Sequence, residues 1–572
     1  MFYALKFDLS SIIYVNVLLI IGMLFPIPSR RQPLYQRILK IIFVATNGVA
    51  LIFELIDVVY FPFNLRRIIY SDFALFQNTA EMIPGLLLAY WWLCLIWISL
   101  LIILSCLFRK TCARHPEAYR THWQIFIFLV SLALLGIGAR GGLQLRPVSP
   151  ITAFEYIDNV RLTPLITNTT MSLLFSSQAD QLTEKNYFNP ARTEEIFNLR
   201  RQYHDTPPPE KRNVFIIVLE SFGVEHVGPN TPFLDSLLKR SLIVKEAYSN
   251  GLRSTQGILA ITASIPVLMD KPLMFSAYQT NRIDGLAKVL GEWGYTSGFF
   301  HGANPGSMEF ERFAKLSGFD HYIDRNDFDD DNQYDGRWGI WDKPFFEFTA
   351  SEVSKYPEPF FTLLFSLTSH HPYHVPDWFA NEHPEEDPQI RANRYTDYAL
   401  RSFFNKIKKE SWFQNTLFVI TADHTGKSDQ AFYQGNQGRY RIPIAIYDPR
   451  QDVKGSIKEV GQQTDIMPTV LDLIGYDQKF AAFGNSLLDS TRTPMVYHFN
   501  GIWYHAINQS YFYEFDGFTP QRVFNYRKDP ALKESLLGSE SVPLGFIDTL
   551  KAIIQVHNDA MLNNQLYLPE ED

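Results

Sequence analysis

NVFIIVLE, residues 213–220, is a nearly unbroken apolar run closed by an acid. Residues that are apolar at every position, rather than at alternate ones, suit a parallel strand covered on both faces. A carboxylate at the end of such a strand lies where open parallel sheets build their sites. Three further runs repeat the pattern. Residues 296–300 lead into His301 and Gly302, residues 360–367 (FFTLLFSL) into Ser369, His370 and His371, and residues 416–420 (TLFVI) into Thr421, Ala422, Asp423 and His424. Helical patterns at 284–293 and 394–409 lie between them. Together they predict a doubly wound α/β domain with one active-site edge. Beyond about Pro494 the aromatic residues alternate (MVYHF, GIWYHAI, SYFYEF), which predicts a small antiparallel sheet flanking the core.

Upstream, the Pro207–Pro209 run and its EKR continuation read as linker, because consecutive prolines stay extended. The chain of 572 residues is long for one domain, and its apolar residues concentrate before about Leu145. Residues 9–26, 38–63, 83–108 and 125–137 approach the roughly 20 apolar residues that a bilayer span needs. Arg30, Arg31, Arg37 and Lys40 crowd the first connection, and Arg109, Lys110, Arg114 and Arg120 the third. The positive-inside rule puts both in the cytoplasm and everything after about Arg140 outside; Arg66 and Arg67 weaken the contrast without reversing it. The expected division is transmembrane helices over 1–140, an extracytoplasmic linker over 141–212 and a catalytic domain with a small C-terminal subdomain over 213–572. Cys94, Cys106 and Cys112 all fall in the membrane part, so the outer domain folds without disulfides. A net charge of −8 gives no footprint for nucleic acid.

Glu220, Asp423 and His424 are candidate metal ligands, since mixed carboxylate and imidazole donors suit manganese, zinc or, less well, magnesium. A lone strand-end acid serves equally well as a cap or surface charge; two such acids, one followed directly by His, shift the balance to a metal site. A hydroxyl nucleophile beside the ion is offered by SNGLRSTQGILA, residues 249–260, in Ser254 and Thr255, with Arg253 available to a phosphate. Glu54 and Asp57 share a face inside the second apolar segment, where acids either take a lipid-headgroup or domain-docking role or sit near the outer interface at small cost.

These motifs resemble the alkaline phosphatase and sulfatase superfamily, and within it the lipoteichoic acid synthase family of membrane phosphoglycerol transferases. NVFIIVLES, NGLRSTQG, FFHGANPGSMEFERFAKLSGFDHYID, SLTSHHPYH, VITADHTG and QQTDIMPTVLDLIG occur in family order. The resemblance implies one divalent ion, usually manganese, held by Glu220, Ser254, Asp423 and His424. It implies Ser254 as nucleophile, at a position where the family commonly has Thr, with Thr255 as the alternative. Arg253, His301 and His370 are implied as contacts to the substrate phosphate. The chain departs from the family at Ala303, Met308 and Phe310, where an acid, a Trp and an Arg are usual. KFDLSSIIYVN resembles the family's second membrane helix, so a preceding helix is expected.

The implied protein is a multi-pass enzyme of the bacterial cytoplasmic membrane with its catalytic domain outside. It would move phosphoglycerol from phosphatidylglycerol to a hydroxyl of a glycan or polymer through a phosphorylated enzyme, the membrane helices holding the site near its lipid donor. The alternatives are a phosphoethanolamine transferase, a phosphodiesterase or sulfatase-like hydrolase, and a catalytically inert lipid-binding relative. Phosphoethanolamine transferases usually carry disulfides in the outer domain, and a sulfatase needs an Arg where Leu268 stands.

Overall fold

The computed structural model describes residues 4–64, 67–68, 83–112, 121–143, 148, 166–176, 182–276, 278, 281–384, 386–539, 542–543 and 545–568. Arg66, Arg114 and Arg120 lie outside these residues. The chain divides into two compact units, Met1–Ala179 and Asp180–Asp572.

In the first unit, four helices among the described residues are long and apolar enough to cross a membrane: α1 (Ala4–Leu24), α2 (Pro33–Asn64), α3 (Trp91–Cys112) and α4 (Thr121–Ala139). The third apolar segment proves to be two helices, Ile83–Ala89 and α3, parted by a turn at Tyr90. Polar groups on these helices pair with one another. Asn16 and Asn47 exchange amide hydrogen bonds of 3.0 and 2.6 Å, and the Trp97 indole donates to the Gly48 carbonyl at 2.9 Å.

Glu54 and Asp57 of α2 hold a short helix, α5 (Thr169–Ser176). Asp57 is fully buried. Its Oδ2 accepts from Thr169 Oγ1 and from Arg67 Nη1, both at 2.8 Å, and its Oδ1 accepts from the Ile68 amide at 3.0 Å. Glu54 Oε1 accepts from the Thr170 amide at 3.1 Å, and Asn168 bridges Ser11 and Asp8 of α1. These contacts tie the two acids to α5 within the first unit. Removing the acid takes this acceptor from three donors, one of them the partly exposed Arg67, which keeps Glu54 at 3.8 Å. Asp57→Ala is therefore expected to destabilise this clasp by about 2 kcal/mol, and limited proteolysis near residue 176 should accelerate at least about tenfold. Unchanged cleavage would show that the clasp contributes little.

The second unit is built on an eight-stranded sheet among the described residues. Its strands are β1 (Asn213–Leu219), β2 (Leu242–Tyr248), β3 (Thr296–His301), β4 (His321–Ile323), β5 (Phe360–Phe365), β6 (Thr416–Ala422), β7 (Ile444–Tyr447) and β8 (Gly455–Gln462). The spatial order is β4-β3-β5-β1-β6-β7-β2-β8. β1 lies parallel between β5 and β6, and β7 alone runs antiparallel to both its neighbours. Every residue of β1, β5 and β6 is buried, as continuous apolar runs require when both faces are covered. Phe215 of β1 packs its ring 5.3 Å from that of Phe403 on α8 (Pro388–Ile407), which lies against α7 (Asp342–Val353) through Phe346.

Part of the segment read as linker belongs to this unit. Arg200–Arg201 pairs with Phe480–Ala481, Gln555 Oε1 accepts from the Tyr187 and Phe188 amides, and Phe197 stacks on Phe483 at 5.9 Å. The aromatic anchors Tyr187, Phe188 and Phe197, which the proline-based reading did not weigh, give these residues apolar surface to bury.

The aromatic tail forms the expected antiparallel sheet, β9 (Val496–Phe499), β10 (Tyr504–Ile507), β11 (Tyr511–Phe515) and β12 (Pro520–Asn525), followed by α9 (Gly545–Leu562). Its register sets His498 opposite His505 and His505 opposite Glu514. Burial pushes the pKa of His498 down to about 3 and that of His557, in α9, to about 4. A histidine depressed in the fold binds a proton more readily when unfolded. Its stabilising contribution is complete above the unfolded value near 6.5 and is lost as pH falls toward the folded value. His557→Gln should therefore lose about 2 kcal/mol less stability than the unaltered chain between pH 7 and pH 5, as read by urea unfolding. Equal losses in the two proteins would contradict the neutral buried state of His557.

Candidate active site

Glu220 directly follows β1, and Asp423 and His424 directly follow β6, so the parallel pairing of these two strands brings all three together. Ligand atoms of Glu220, Asp423 and His424 lie within 4.8 Å of one another. Each is oriented by a neighbour. Asp423 Oδ1 accepts from the backbone amides of Ser221 (2.8 Å) and His424 (2.7 Å), while Oδ2 is buried with no partner. His424 Nδ1 lies 2.8 Å from the Thr425 carbonyl, so Nδ1 carries the proton and Nε2 presents its lone pair. That nitrogen sits 3.3 Å from Asp423 Oδ2 and 3.8 Å from Glu220 Oε1. Glu220 is fixed through its backbone, its amide donating to Ser366 Oγ (2.8 Å) and its carbonyl accepting from Ser369 Oγ (2.6 Å).

Burial and the adjacent Asp423 hold the Glu220 carboxyl well above the usual carboxylate range. Two buried acids, an orphaned carboxylate oxygen and an imidazole lone pair turned inward form a donor set that fits a divalent cation, whose charge would reverse that penalty.

Ser254 opens α6 (Ser254–Ala263), a helix buried along its whole length. Its hydroxyl lies 3.2 Å from Glu220 Oε2 and 3.4 Å from His424 Nε2. Thr255 Oγ1 is buried without a hydrogen-bond partner. Of the two hydroxyls, that of Ser254 is the one hydrogen-bonded to Glu220. At the first turn of α6, Ser254 also meets the positive end of the helix, which favours an oxyanion or a phosphate. Arg253 occupies the N-cap position in extended conformation.

Sequence reasoning passed over the residue that locks this turn to β6. Gln463 Nε2 donates to the Ala422 and Asp423 carbonyls, each at 2.7 Å, and its Oε1 accepts from the Asn250 amide at 2.8 Å. Its only signal was its place in QQTD. Closer still, a Cβ built on Gly257 of α6 would lie 2.1 Å from the Asp423 carbonyl oxygen. Gly257→Ala must therefore push the first turn of α6 away from the acids. A displacement near 1 Å costs about 10²-fold in rate, and steady-state turnover of the folded variant checks it.

His301 ends β3 and is buried between Phe365, stacked at 5.0 Å, and Phe310, edge-on at 5.3 Å. Its Nε2 has no partner, and burial with His370 nearby pushes its pKa down to about 3. His370 follows β5; burial lowers its pKa to about 4, with His424 and Asp423 close enough to act on it in opposite directions. Of the positions where the chain departs from the resemblance, Ala303 and Phe310 are buried and Met308 packs against the core.

Residues 212–476 match the family described as Sulfatase. This stretch is similar in sequence to a sulfatase domain. The domain is similar in structure to an alkaline phosphatase superfamily protein from Vibrio parahaemolyticus, at a TM-score of 0.59 and 25% identity over 67% of this chain and 94% of that one. It also shares the fold of the lipoteichoic acid synthase LtaP from Listeria monocytogenes, at a TM-score of 0.53 and 21% identity over 65% of this chain and 98% of that one. In sequence the chain is 27% identical over 321 residues to the lipoteichoic acid synthase-like YvgJ of Bacillus subtilis, covering 51% of this chain and 52% of the relative. It is 27% identical over 348 residues to the lipoteichoic acid synthase of Staphylococcus aureus, covering 54% and 53%. The chain thus spans about half the length of the curated relatives it matches. The fold class is that of apolar N-terminal helices followed by an α/β domain of the sulfatase and alkaline phosphatase superfamily.

Proposed function

We propose that this sulfatase domain is a metal-dependent phosphotransferase that takes a phosphoglycerol group from phosphatidylglycerol onto Ser254 and passes it to a hydroxyl of a glycan or polymer. The observation that carries the reading is the placement of one hydroxyl, Ser254 Oγ, against Glu220 and His424 at the start of a buried helix. Glu220, Asp423, His424 and Ser254 would hold one divalent ion, manganese by family likeness. When bound, the ion neutralises charge on the phosphoryl oxygens and lowers the pKa of the attacking hydroxyl. The protein supplies the rest. Ser254 directs its proton at Glu220 Oε2, the first turn of α6 offers amides to the phosphate, and Arg253, His301 and His370 would contact that phosphate by family likeness. The phosphoryl group passes from the lipid oxygen to Ser254 Oγ as the Ser254 proton leaves by way of Glu220 to solvent and diacylglycerol departs as the alcohol with a proton from solvent, and an acceptor hydroxyl then displaces Ser254 in line. The apolar helices and the charge distribution of their connections support a membrane enzyme with this domain on the extracytoplasmic side.

The deciding experiment supplies fluorescent phosphatidylglycerol or phosphatidylethanolamine in vesicles to the purified full chain, with manganese and with chelator. Manganese-dependent diacylglycerol release from phosphatidylglycerol is expected. Turnover of phosphatidylethanolamine alone would reassign the donor, and turnover of neither lipid would remove the transferase reading.

A further inference from the structure

One backbone carbonyl, that of His371, accepts two side-chain hydrogen bonds, from His370 Nδ1 at 2.8 Å and from Trp338 Nε1 at 2.8 Å. The two rings lie against each other with centroids 4.0 Å apart. A nitrogen facing a carbonyl at that distance must carry the proton, so the uncharged His370 ring presents Nε2 as a lone pair. An acceptor nitrogen suits a hydroxyl, which has a proton to give, better than an ionised phosphate oxygen, which has none.

Trp338 in turn is fixed by its own loop. Asp335 Oδ1 accepts from the amides of Arg337 (2.8 Å), Trp338 (2.8 Å) and Gly339 (3.0 Å). The loop is tied to the strand end that carries His301, because Ile340 donates to the Gly302 carbonyl at 2.8 Å and Asn304 to the Trp338 carbonyl at 2.9 Å. Gly339 is crowded there: a Cβ would stand 2.0 Å from the Gly302 carbonyl oxygen. A loop held this closely gives the indole a single place, over His370.

On these grounds we propose that Trp338 is a positioning residue, held by Asp335, that keeps His370 oriented as the proton acceptor for the incoming hydroxyl in the second half of the reaction. The inference rests on the phosphoserine reading above. In that step the acceptor oxygen bonds to phosphorus as the bond from phosphorus to Ser254 Oγ breaks. The hydroxyl proton passes to His370 Nε2, Ser254 Oγ regains a proton from solvent, and His370 returns its own to solvent, so the step balances. His370 would then select acceptors by a hydroxyl rather than grip the donor phosphate.

The test follows both half-reactions of the full chain with fluorescent phosphatidylglycerol vesicles, manganese and glycerol as the probe acceptor. Rapid quenching reads the first-turnover burst of diacylglycerol, and product analysis reads transfer to glycerol against hydrolysis. Trp338→Ala and His370→Phe are expected to slow transfer to glycerol at least about tenfold, within the range that general-base groups contribute. In Trp338→Ala the burst should change less than about threefold, while transfer in Trp338→Phe, which keeps a ring over His370, should fall between. A burst and transfer rate that fall in parallel would assign Trp338 a merely structural role and overturn the proposal. So would transfer unchanged in both variants. Absence of any burst in the unaltered protein would remove the phosphoserine reading itself, a result distinct from either of these.

Discussion

Ser254→Ala is expected to abolish diacylglycerol release, by about 10³-fold or more, while the protein remains folded and keeps manganese, less tightly, on Glu220, Asp423 and His424. The argument is geometric. Ser254 is the one hydroxyl of its turn seen to reach the acids, at 3.2 Å from Glu220 and 3.4 Å from His424. Alanine removes the atom on which the phosphoryl group would be carried and leaves the first turn of α6 in place, since Ser is not needed to cap it. Thr255→Ala is the matched control. Its hydroxyl is already without a hydrogen-bond partner, so truncation strands no other group, and activity should stay within about threefold of the unaltered chain. Mass spectrometry of acid-quenched enzyme should show the phosphoglycerol adduct on the peptide containing Ser254. Release that survives Ser254→Ala and disappears in Thr255→Ala would transfer the role to Thr255.

Asp423→Asn should weaken manganese binding on the order of 10²-fold, and turnover should fall with it at fixed metal concentration. The substitution is nearly isosteric, and the side-chain carbonyl can keep the two backbone amides that Oδ1 receives. What changes is the group at the Oδ2 position, an unpartnered oxygen that becomes an amide donor facing the candidate cation. Binding can be followed without activity. A ligand at a hundred times its dissociation constant stabilises a fold by about 2.7 kcal/mol, so manganese should raise the midpoint of unfolding in the unaltered chain and lose much of that effect in Asp423→Asn. Without metal the variant should be the more stable of the two, because it relieves two buried acids of each other. A manganese response identical in the two proteins would remove Asp423 from the ligand set.

The sheet was legible in the sequence wherever burial on both faces left its mark. Residues 213–219, 296–300 and 416–420 are continuous apolar runs, and the structure makes each a strand, with Glu220, His301 and Asp423 at or just beyond their ends. β8 was not legible. It is half exposed along much of its length, so its composition resembles a loop. Ser254 against Thr255 could be decided from the sequence only by family likeness, because one residue of helix turns a side chain by about 100° and a motif does not record that rotation. Gln463, Asp335 and Trp338 escaped notice for another reason. Gln463 and Trp338 act through contacts with residues 33 to 41 positions away, which no local pattern marks, and Asp335 acts through the backbone amides of its own loop, which are the same for any sequence.

Gly257 has a bearing on how such enzymes can diverge. With its α-carbon pressed on the Asp423 carbonyl, the hydroxyl and the acid it faces form one block whose internal spacing has no slack. A descendant acquiring a new reaction cannot arrive there by sliding one element past the other. Exchange of the residue at 254, or of the loops that meet the substrate, is the open route. Libraries aimed at new transfer chemistry should therefore hold 257, 335, 338, 339, 370 and 463 constant and vary the other positions of 334–341 and 371–378.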